Sequence, residues 1–299
     1  MIKHLLVPLD GSPLAESVLP VAASLAKKIK TDITLIHIIE KDPPEKIHGQ
    51  RHLTSSLQAK TYLKSISELG IFNSVEVEIH VHEERVQNIP LSIAEHTNEL
   101  HQDLIVMCTH GSGGLQEFLF GSIAQKVISI GKKPVLLINP SPDNSTKGCK
   151  FNNFLIPLDG NPEHEQAVHF ASWLAEVCGA SIHLLIAIPY FGTMSGKVTA
   201  ANRFLPGTTA IMMDMIIPDA IDYLEKIQKE LTAEGLKVTT SVSRDNPEKA
   251  IIDAAKEINA DLIIHATHGT KGVDAFWEGS VTLKLSKLSK IPLLLVPVI

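Results

Sequence analysis

The sequence predicts an α/β protein built as a tandem duplication of a doubly wound domain with a mostly parallel, five-stranded sheet. Two observations carry this prediction. First, each half of the chain alternates strand patterns with helix patterns over short connections, which favours right-handed crossovers between parallel strands. Second, ordered blocks occur twice: Leu5-Leu6-Val7-Pro8-Leu9-Asp10-Gly11 returns as Phe154-Leu155-Ile156-Pro157-Leu158-Asp159-Gly160, and Thr109-His110-Gly111 returns as Thr267-His268-Gly269.

The spacing of the repeated blocks gives the domain organisation. Asp10 and Asp159 are 149 positions apart, whereas Gly121-Ser122 and Gly279-Ser280 are 158 apart. The second copy therefore carries an insertion, which we place within 190–217. The predicted domains are 1–140 and 151–299, and the linker 141–150 is rich in Pro, Ser, Asn and Gly. Because this linker is short, we expect the domains to pair within the chain through the last strand of each copy.

Five segments in each copy have strand patterns. Near-continuous apolar runs are typical of strands covered on both faces, whereas the alternation in Val75–His82 indicates an edge strand. The predicted strands of the first copy are Leu5–Pro8, Ile33–Ile39, Val75–His82, Leu104–Cys108 and Val135–Ile138. Those of the second copy lie near Leu155 and at Ile182–Ile188, Val238–Ser243, Leu262–Ala266 and Leu293–Val296.

Capping and proline signals mark the helices between these strands. Ser12-Pro13 and Asn161-Pro162 each place an N-cap residue before a proline that suits the first helical position. Pro20 predicts a kink in the first helix, and Gly131 predicts the end of a later one. The other predicted helices are Leu53–Leu69, Val86–Glu99, Ser122–Ile130, Glu163–Cys178, Asp219–Glu234, Pro247–Ile258 and Ser280–Leu288.

Composition excludes several classes of protein. The chain has 299 residues, of which 44% are hydrophobic and 20% charged, so it is not disordered as a whole. Its net charge of −6 argues against nucleic acid as a partner. No apolar run approaches the roughly 20 residues that cross a bilayer, and no signal peptide pattern is present. Three cysteines at unpatterned spacing favour a reducing compartment. We therefore expect a cytoplasmic protein with no membrane partner.

The repeated blocks lie where a ligand is expected. In open α/β sheets, ligands bind beyond the carboxyl ends of the strands, and Asp10 and Thr109 follow the first and fourth strands. A glycine-bearing loop then leads to Gly121-Ser122, which opens a helix, so that backbone N–H groups can approach phosphate. A carboxylate such as Asp10 accepts hydrogen bonds from ribose hydroxyls. The residues together predict a nucleotide site.

The spacing of these residues also resembles a known family. Pro8-Leu9-Asp10-Gly11, then His110-Gly111, nine residues and Gly121-Ser122 is similar to the pattern of the universal stress protein family. The second copy repeats the pattern, so the resemblance covers nearly the whole chain twice, as in tandem members. It implies Rossmann-like domains with strand order 3-2-1-4-5. In the family's ATP-binding branch the loop reads Gly-x-x-Gly, nine residues, then Gly-Ser or Gly-Thr.

The resemblance implies a role for each matching residue. Asp10 would contact ribose, and the backbone of Ile38 would meet adenine. Phosphates would lie on Gly111, Gly121 and Ser122, and the same site would include Pro8, Cys108 and His110. The matching positions in the second copy are Pro157, Asp159, Ala187, Ala266, His268, Gly269, Gly279 and Ser280. The implied ligand is an adenine nucleotide, ATP, with or without magnesium.

Both copies depart from the family pattern at one position. The first glycine of the loop is Cys108 in the first copy and Ala266 in the second, so a side chain stands where the pattern has none. We expect a stress-adaptation protein that acts through ATP binding and protein interaction. This departure keeps a nucleotide-independent interaction or chaperone-like protein as an alternative. A weak ATPase or adenylating enzyme is a second alternative, but we assign no catalytic residue. Exposed sheet edges leave a homodimer open.

Two apparent motifs fail on spacing. His164 and His169 are five positions apart, one more than in the zinc motif His-Glu-x-x-His, so they fall on different helix faces. Gly192–Val198 imitates a phosphate-binding loop, but only three residues separate its glycines and Val follows its Lys. We predict no metal site.

Overall fold

The computed structural model describes residues 2–41, 46–47, 50–51, 53–109, 121–140, 148–189, 206–268 and 281–298. Contacts within the chain group it into two compact units. Unit 1 consists of Met1–Lys150 with Thr267–Ile299, and unit 2 consists of Phe151–Ala266. These units are groupings by contact, and the domains inferred from the repeat, 1–140 and 151–299, stay a prediction.

Twelve strands and nine α-helices lie in the described ranges. The strands are β1 (His4–Pro8), β2 (Asp32–Glu40), β3 (Lys46–Ile47), β4 (Gln50–Arg51), β5 (Val77–Val86), β6 (Leu104–Cys108), β7 (Val135–Ile138), β8 (Asn153–Leu158), β9 (Ser181–Ala187), β10 (Lys237–Ser243), β11 (Leu262–His268) and β12 (Leu293–Val298). The helices are α1 (Pro13–Glu16), α2 (Leu19–Ile29), α3 (Ser56–Ser67), α4 (Ile89–Glu99), α5 (Ser122–Ile130), α6 (Gln166–Cys178), α7 (Pro206–Ala233), α8 (Pro247–Glu257) and α9 (Val281–Leu288). Short 3-10 helices span Gly70–Phe72 and Pro162–Glu165.

The sheet of unit 1 confirms the predicted fold class. Its strands follow the order β12-β7-β6-β1-β2-β5. The five strands of the first copy are parallel to their neighbours, in the order third, second, first, fourth, fifth. β12 joins this sheet antiparallel to β7, with Leu293 opposite Leu137. β3 and β4 form a separate antiparallel hairpin that the sequence did not predict.

Unit 2 contains the corresponding first four strands of the second copy. They follow the order β10-β9-β8-β11, and all neighbours are parallel. Its central strand β8 carries Phe154, Leu155 and Ile156, which are completely buried, as are Leu5, Leu6 and Val7 in β1. Burying one such side chain stabilises the fold by about 1.5–3 kcal/mol. The apolar runs that predicted these strands therefore form the centre of each unit.

Pro20 does not kink the first helix as predicted. The chain forms two helices instead, with α1 ending at Glu16 and α2 beginning at Leu19, so that Pro20 lies in the first turn of α2. A missing N–H costs little there because the first turn has no intrahelical acceptor for it. The predicted N-cap is present, since Oγ of Ser12 accepts a hydrogen bond from the amide of Ala15 at 3.1 Å.

Two other elements extend beyond their predicted ends. β5 continues to Val86, past a shift in its register with β2 between Ile38 and Glu40. α7 begins at Pro206 rather than near Asp219, so part of the predicted insertion is helical. Residues 190–205 of the insertion, and the phosphate-loop imitation within it, lie outside the described residues. In the described part of the chain, no helix combines the length and the hydropathy that spanning a bilayer requires.

Three histidines, His80 and His82 of β5 and His96 of α4, lie in contact with one another. Nδ1 of His96 donates to the carbonyl of Ser92 at 2.7 Å, so neutral His96 accepts through Nε2 from Nδ1 of His82 at 3.2 Å. The ring of His80 lies 5.1 Å from that of His96. Burial lowers the pKa of His80, and the neighbouring histidines lower it further, while Glu99 opposes them. The folded protein thus favours neutral His80.

We predict that this cluster makes the protein less stable in mild acid. The unfolded chain takes up a proton at His80 near the ordinary pKa of about 6.5, before the folded protein does, so stability is lost as the pH falls below that value. His80→Gln should show a smaller drop in thermal midpoint between pH 7.5 and pH 5.5 than the natural protein. His169→Gln, which removes an exposed histidine of α6, is the control. An unchanged drop in His80→Gln would contradict the prediction.

Candidate functional site

The candidate site lies at the carboxyl end of β1, which β2 flanks on one side and β6 on the other. This is the point at which the strand order reverses direction, where open α/β sheets form a crevice. Leu5 and Leu6 pair with Leu104 and Ile105, and the same register continued along the strands brings Asp10 level with Thr109. The predicted ends of the first and fourth strands therefore meet.

The Asp10 carboxylate faces this edge from a tight turn. Its Oδ1 accepts a hydrogen bond from the amide of Ser12 at 2.8 Å. Gly11 has φ +89°, which favours glycine, and a Cβ there would stand 3.0 Å from the side chain of Leu53. Within the described ranges, Oδ2 of Asp10 has no hydrogen-bond partner. The aspartate therefore forms the turn with one oxygen and can offer the other to a ligand.

His37 holds the end of β1 in place. This side chain of β2 is only 2% exposed, and its Nδ1 donates to the carbonyl of Leu9 at 2.7 Å. The amide of Leu9 in turn donates to the carbonyl of Ile36 at 2.9 Å. Both backbone groups of the residue before Asp10 are thus hydrogen-bonded to β2. His37 is not predicted as a site residue by the sequence, because its partner Leu9 lies 28 positions away and no pattern links the two.

The opposite side of the site is the start of α5. The amide of Gly121 donates to the carbonyl of Thr109 at 2.6 Å, so the residue that follows β6 lies next to the residue that begins α5. Gly121 is the N-cap residue and provides no side-chain cap, and Ser122 is exposed. Unbonded N–H groups at the start of a helix favour an anion. The structure thus brings the start of α5 to the edge that carries Asp10.

Cys108 and Ala266 stand where the family pattern has glycine, but neither position has a backbone conformation that needs glycine. Cys108 is the last residue of β6 and pairs with Ile138, and Ala266 lies within β11. Neither residue has a positive φ. The glycine is therefore not needed for conformation at these two positions, and the departure matters only through the space that a Cβ and a thiol occupy.

The other predicted site residues are distributed as follows. Pro8 ends β1, Ile38 is buried in β2, Pro157 lies in β8 and Ala187 ends β9. Asp159, Ala187 and Ala266 belong to unit 2, and only the backbone of His268 is described. Five predicted residues fall outside the described residues: His110, Gly111, Gly269, Gly279 and Ser280.

A glutamate and a tyrosine accompany the aspartate in both copies. The hydroxyl of Tyr62 in α3 donates to Oε1 of Glu16 at 3.0 Å, and burial, then Glu16 and Asp10, raise the pKa of Tyr62. In unit 2, burial, then Glu165 and Asp159, raise the pKa of Tyr223 in α7. The glutamates follow their aspartates by six positions in both copies, a repeat that could have revealed them.

The second aspartate has an additional partner. Asp159 forms the same turn, since its Oδ1 accepts from the amide of Asn161 at 3.0 Å and Gly160 has φ +80°. Nδ1 of His164 also lies 2.8 and 2.9 Å from the two carboxylate oxygens. The two copies therefore share a backbone arrangement but differ in what surrounds the carboxylate. Among the residues that the structure describes, no group of three or more His, Cys, Asp or Glu side chains is arranged to hold a metal ion.

Comparison with known proteins agrees with this fold. The model of the universal stress protein family matches residues 1–139 and again 150–297. A universal stress protein of Methanocaldococcus jannaschii is 28% identical over 144 residues, which cover 46% of this chain and 82% of that protein. One from Bacillus subtilis is 25% identical over 150 residues, covering 49% and 99%. A crystal structure from Archaeoglobus fulgidus shares the fold, with a TM-score of 0.68 at 18% identity, covering 99% of this chain and 96% of that one.

We predict that the hydrogen bond between Tyr62 and Glu16 links α3 to α1 and stabilises the fold. Tyr62→Phe should lower the free energy of unfolding by about 1 kcal/mol, because it removes one partly buried hydrogen bond. Glu16→Gln and the double variant complete a thermodynamic cycle measured by denaturant unfolding. A double variant whose loss equals the sum of the two single losses would contradict the coupling.

Proposed function

The chain belongs to the universal stress protein family, and on this basis we propose that it binds ATP at the end of β1. The bound nucleotide would order the neighbouring surface and so control interactions with other proteins in stress adaptation. We also propose a cytoplasmic location, and pairing of the two sequence copies, 1–140 and 151–299, within the chain. The composition and the short linker support these two points.

The carboxylate of Asp10 carries the proposal. Its Oδ2 lacks a partner within the described ranges, at an edge where parallel α/β sheets bind ligands. Ribose offers two neighbouring hydroxyl donors, and a hydrogen bond from a hydroxyl to an ionised carboxylate is stronger than one between neutral groups. The turn that holds Oδ1 and the bond from His37 to Leu9 fix the carboxylate in advance. A ligand would therefore meet an acceptor that needs little reordering.

Positions for the base and the phosphates are available on either side. The register between β2 and β5 shifts between Ile38 and Glu40, and such an irregularity takes backbone groups out of the regular ladder. These groups would meet the edge of adenine. The phosphates would lie against the start of α5, beyond Gly121, where the helix dipole favours negative charge. Magnesium would then bind chiefly through the phosphates.

A second candidate function is a nucleotide-independent interaction protein. The side chains of Cys108 and Ala266 favour it, because each fills space that the family's ATP-binding branch leaves empty. Measuring whether the chain binds ATP therefore distinguishes the two candidate functions. We do not propose efficient catalysis, and we assign no catalytic residue.

We predict that Asp10→Asn weakens ATP binding by about tenfold or more, because a charge-assisted hydrogen bond to ribose is lost. Asparagine keeps an oxygen for the Ser12 amide, so the turn is preserved. Binding is measured by equilibrium dialysis of the purified full chain against labelled ATP with magnesium. Asp103→Asn is the matched control, because Asp103 also accepts backbone amides, from Lys3 and His4, but at the opposite end of the strands.

The outcomes separate the two candidate functions. Loss of affinity in Asp10→Asn, with Asp103→Asn unchanged, supports the ATP site at β1. Binding that both variants retain in full would place the nucleotide elsewhere. A folded, ligand-free chain that binds no ATP would overturn the proposal and favour the interaction protein.

A further inference from the structure

One difference between the two copies lies directly beside their aspartates. Asp10-Gly11 and Asp159-Gly160 begin similar turns, and a glutamate follows each aspartate by six positions. Five positions after the aspartate, however, the first copy has Ala15 and the second has His164. Ala15 is buried in α1, whereas His164 lies in the 3-10 helix before α6.

The imidazole of His164 lies within hydrogen-bond distance of both carboxylate oxygens of Asp159. Nδ1 lies 2.8 Å from Oδ1 and 2.9 Å from Oδ2, and Oδ1 also accepts from the amide of Asn161. The Asp159 side chain is 58% exposed and that of His164 is 15% exposed, so the histidine is packed while the carboxylate faces solvent. Both oxygens of Asp159 are therefore engaged, in contrast to Oδ2 of Asp10.

A histidine held in this way competes with a ribose. A sugar hydroxyl that donates to Asp159 must displace Nδ1 of His164 or share the carboxylate with it. At Asp10 the described residues offer no such competitor. The histidine also reduces the effective charge of the carboxylate whenever it is protonated. The same ligand would thus gain less from the second aspartate than from the first.

We propose that His164 acts as a built-in competitor that withholds Asp159 from nucleotide, so that the second copy binds ATP more weakly than the first. This inference rests on the proposed function, since it concerns the regulation of the corresponding site in the second copy. It makes the tandem chain an unequal pair, in which one copy responds to ATP concentrations that leave the other empty. His164 therefore acts through the Asp159 carboxylate, and we assign it no contact with the nucleotide itself.

The test isolates the second copy with the Asp10→Asn variant as background. In that background, His164→Ala introduces the residue that the first copy carries at this position. ATP affinity of the full chain should rise about three- to tenfold, the scale of one displaced polar contact. His169→Ala, an exposed histidine five positions later, is the matched control. His164→Leu keeps the volume without a donor, and a thermal midpoint close to that of the background verifies folding of each variant.

Each outcome decides one point. A rise with His164→Ala or His164→Leu, absent with His169→Ala and abolished by adding Asp159→Asn, supports the inference. Equal affinities in the His164 and His169 variants would overturn it and leave the proposed ATP site at β1 intact. A natural protein that binds no ATP would overturn the proposed function and this inference together.

Discussion

Everything at the candidate site depends on how firmly β1 is held. Its apolar residues are completely buried, and β2 and β6 pair with it on either side. A strand bonded in this way cannot slide without breaking two ladders and exposing its side chains to water. The position of Asp10, one residue past the bonded carbonyl of Leu9, is consequently fixed by the pairing of β1 with its neighbours, and the hydrogen-bonded turn then orients its carboxylate. β8 places Asp159 in unit 2 by the same means.

The sequence predicted the centre of each unit better than its periphery. Runs such as Leu5–Val7 and Phe154–Ile156 are typical of strands covered on both faces, and both are completely buried in such strands. Pro20 was compatible with two solutions, a kinked helix or a new first turn, and only packing decides between them. β5 is longer than its alternating pattern, because its pairing with β2 resumes after the shift in register.

At the site, the sequence predicted the residues that end strands and missed those that support them. Asp10 stood out because Asp159 repeats it in the same context. His37 and Tyr62 reach their partners from elements 28 and 46 positions away, and such contacts leave no periodic trace in a sequence. For His164 the sequence suggests only a pairing with His169, at a spacing that the zinc motif does not allow. Its partner is Asp159, across a turn, a pairing that the helical spacing rules do not cover.

The antiparallel pair of β7 and β12 has a consequence during synthesis. Leu137 and Leu293 face each other although 156 residues separate them along the chain. The ribosome therefore releases β7 long before β12 exists, and for that interval the hydrogen-bonding edge of β7 is unpaired in the nascent chain. Contacts of such long range form slowly even in a complete chain. An open strand edge invites pairing with other chains, so the order of synthesis leaves this edge of β7 exposed to such pairing until β12 forms.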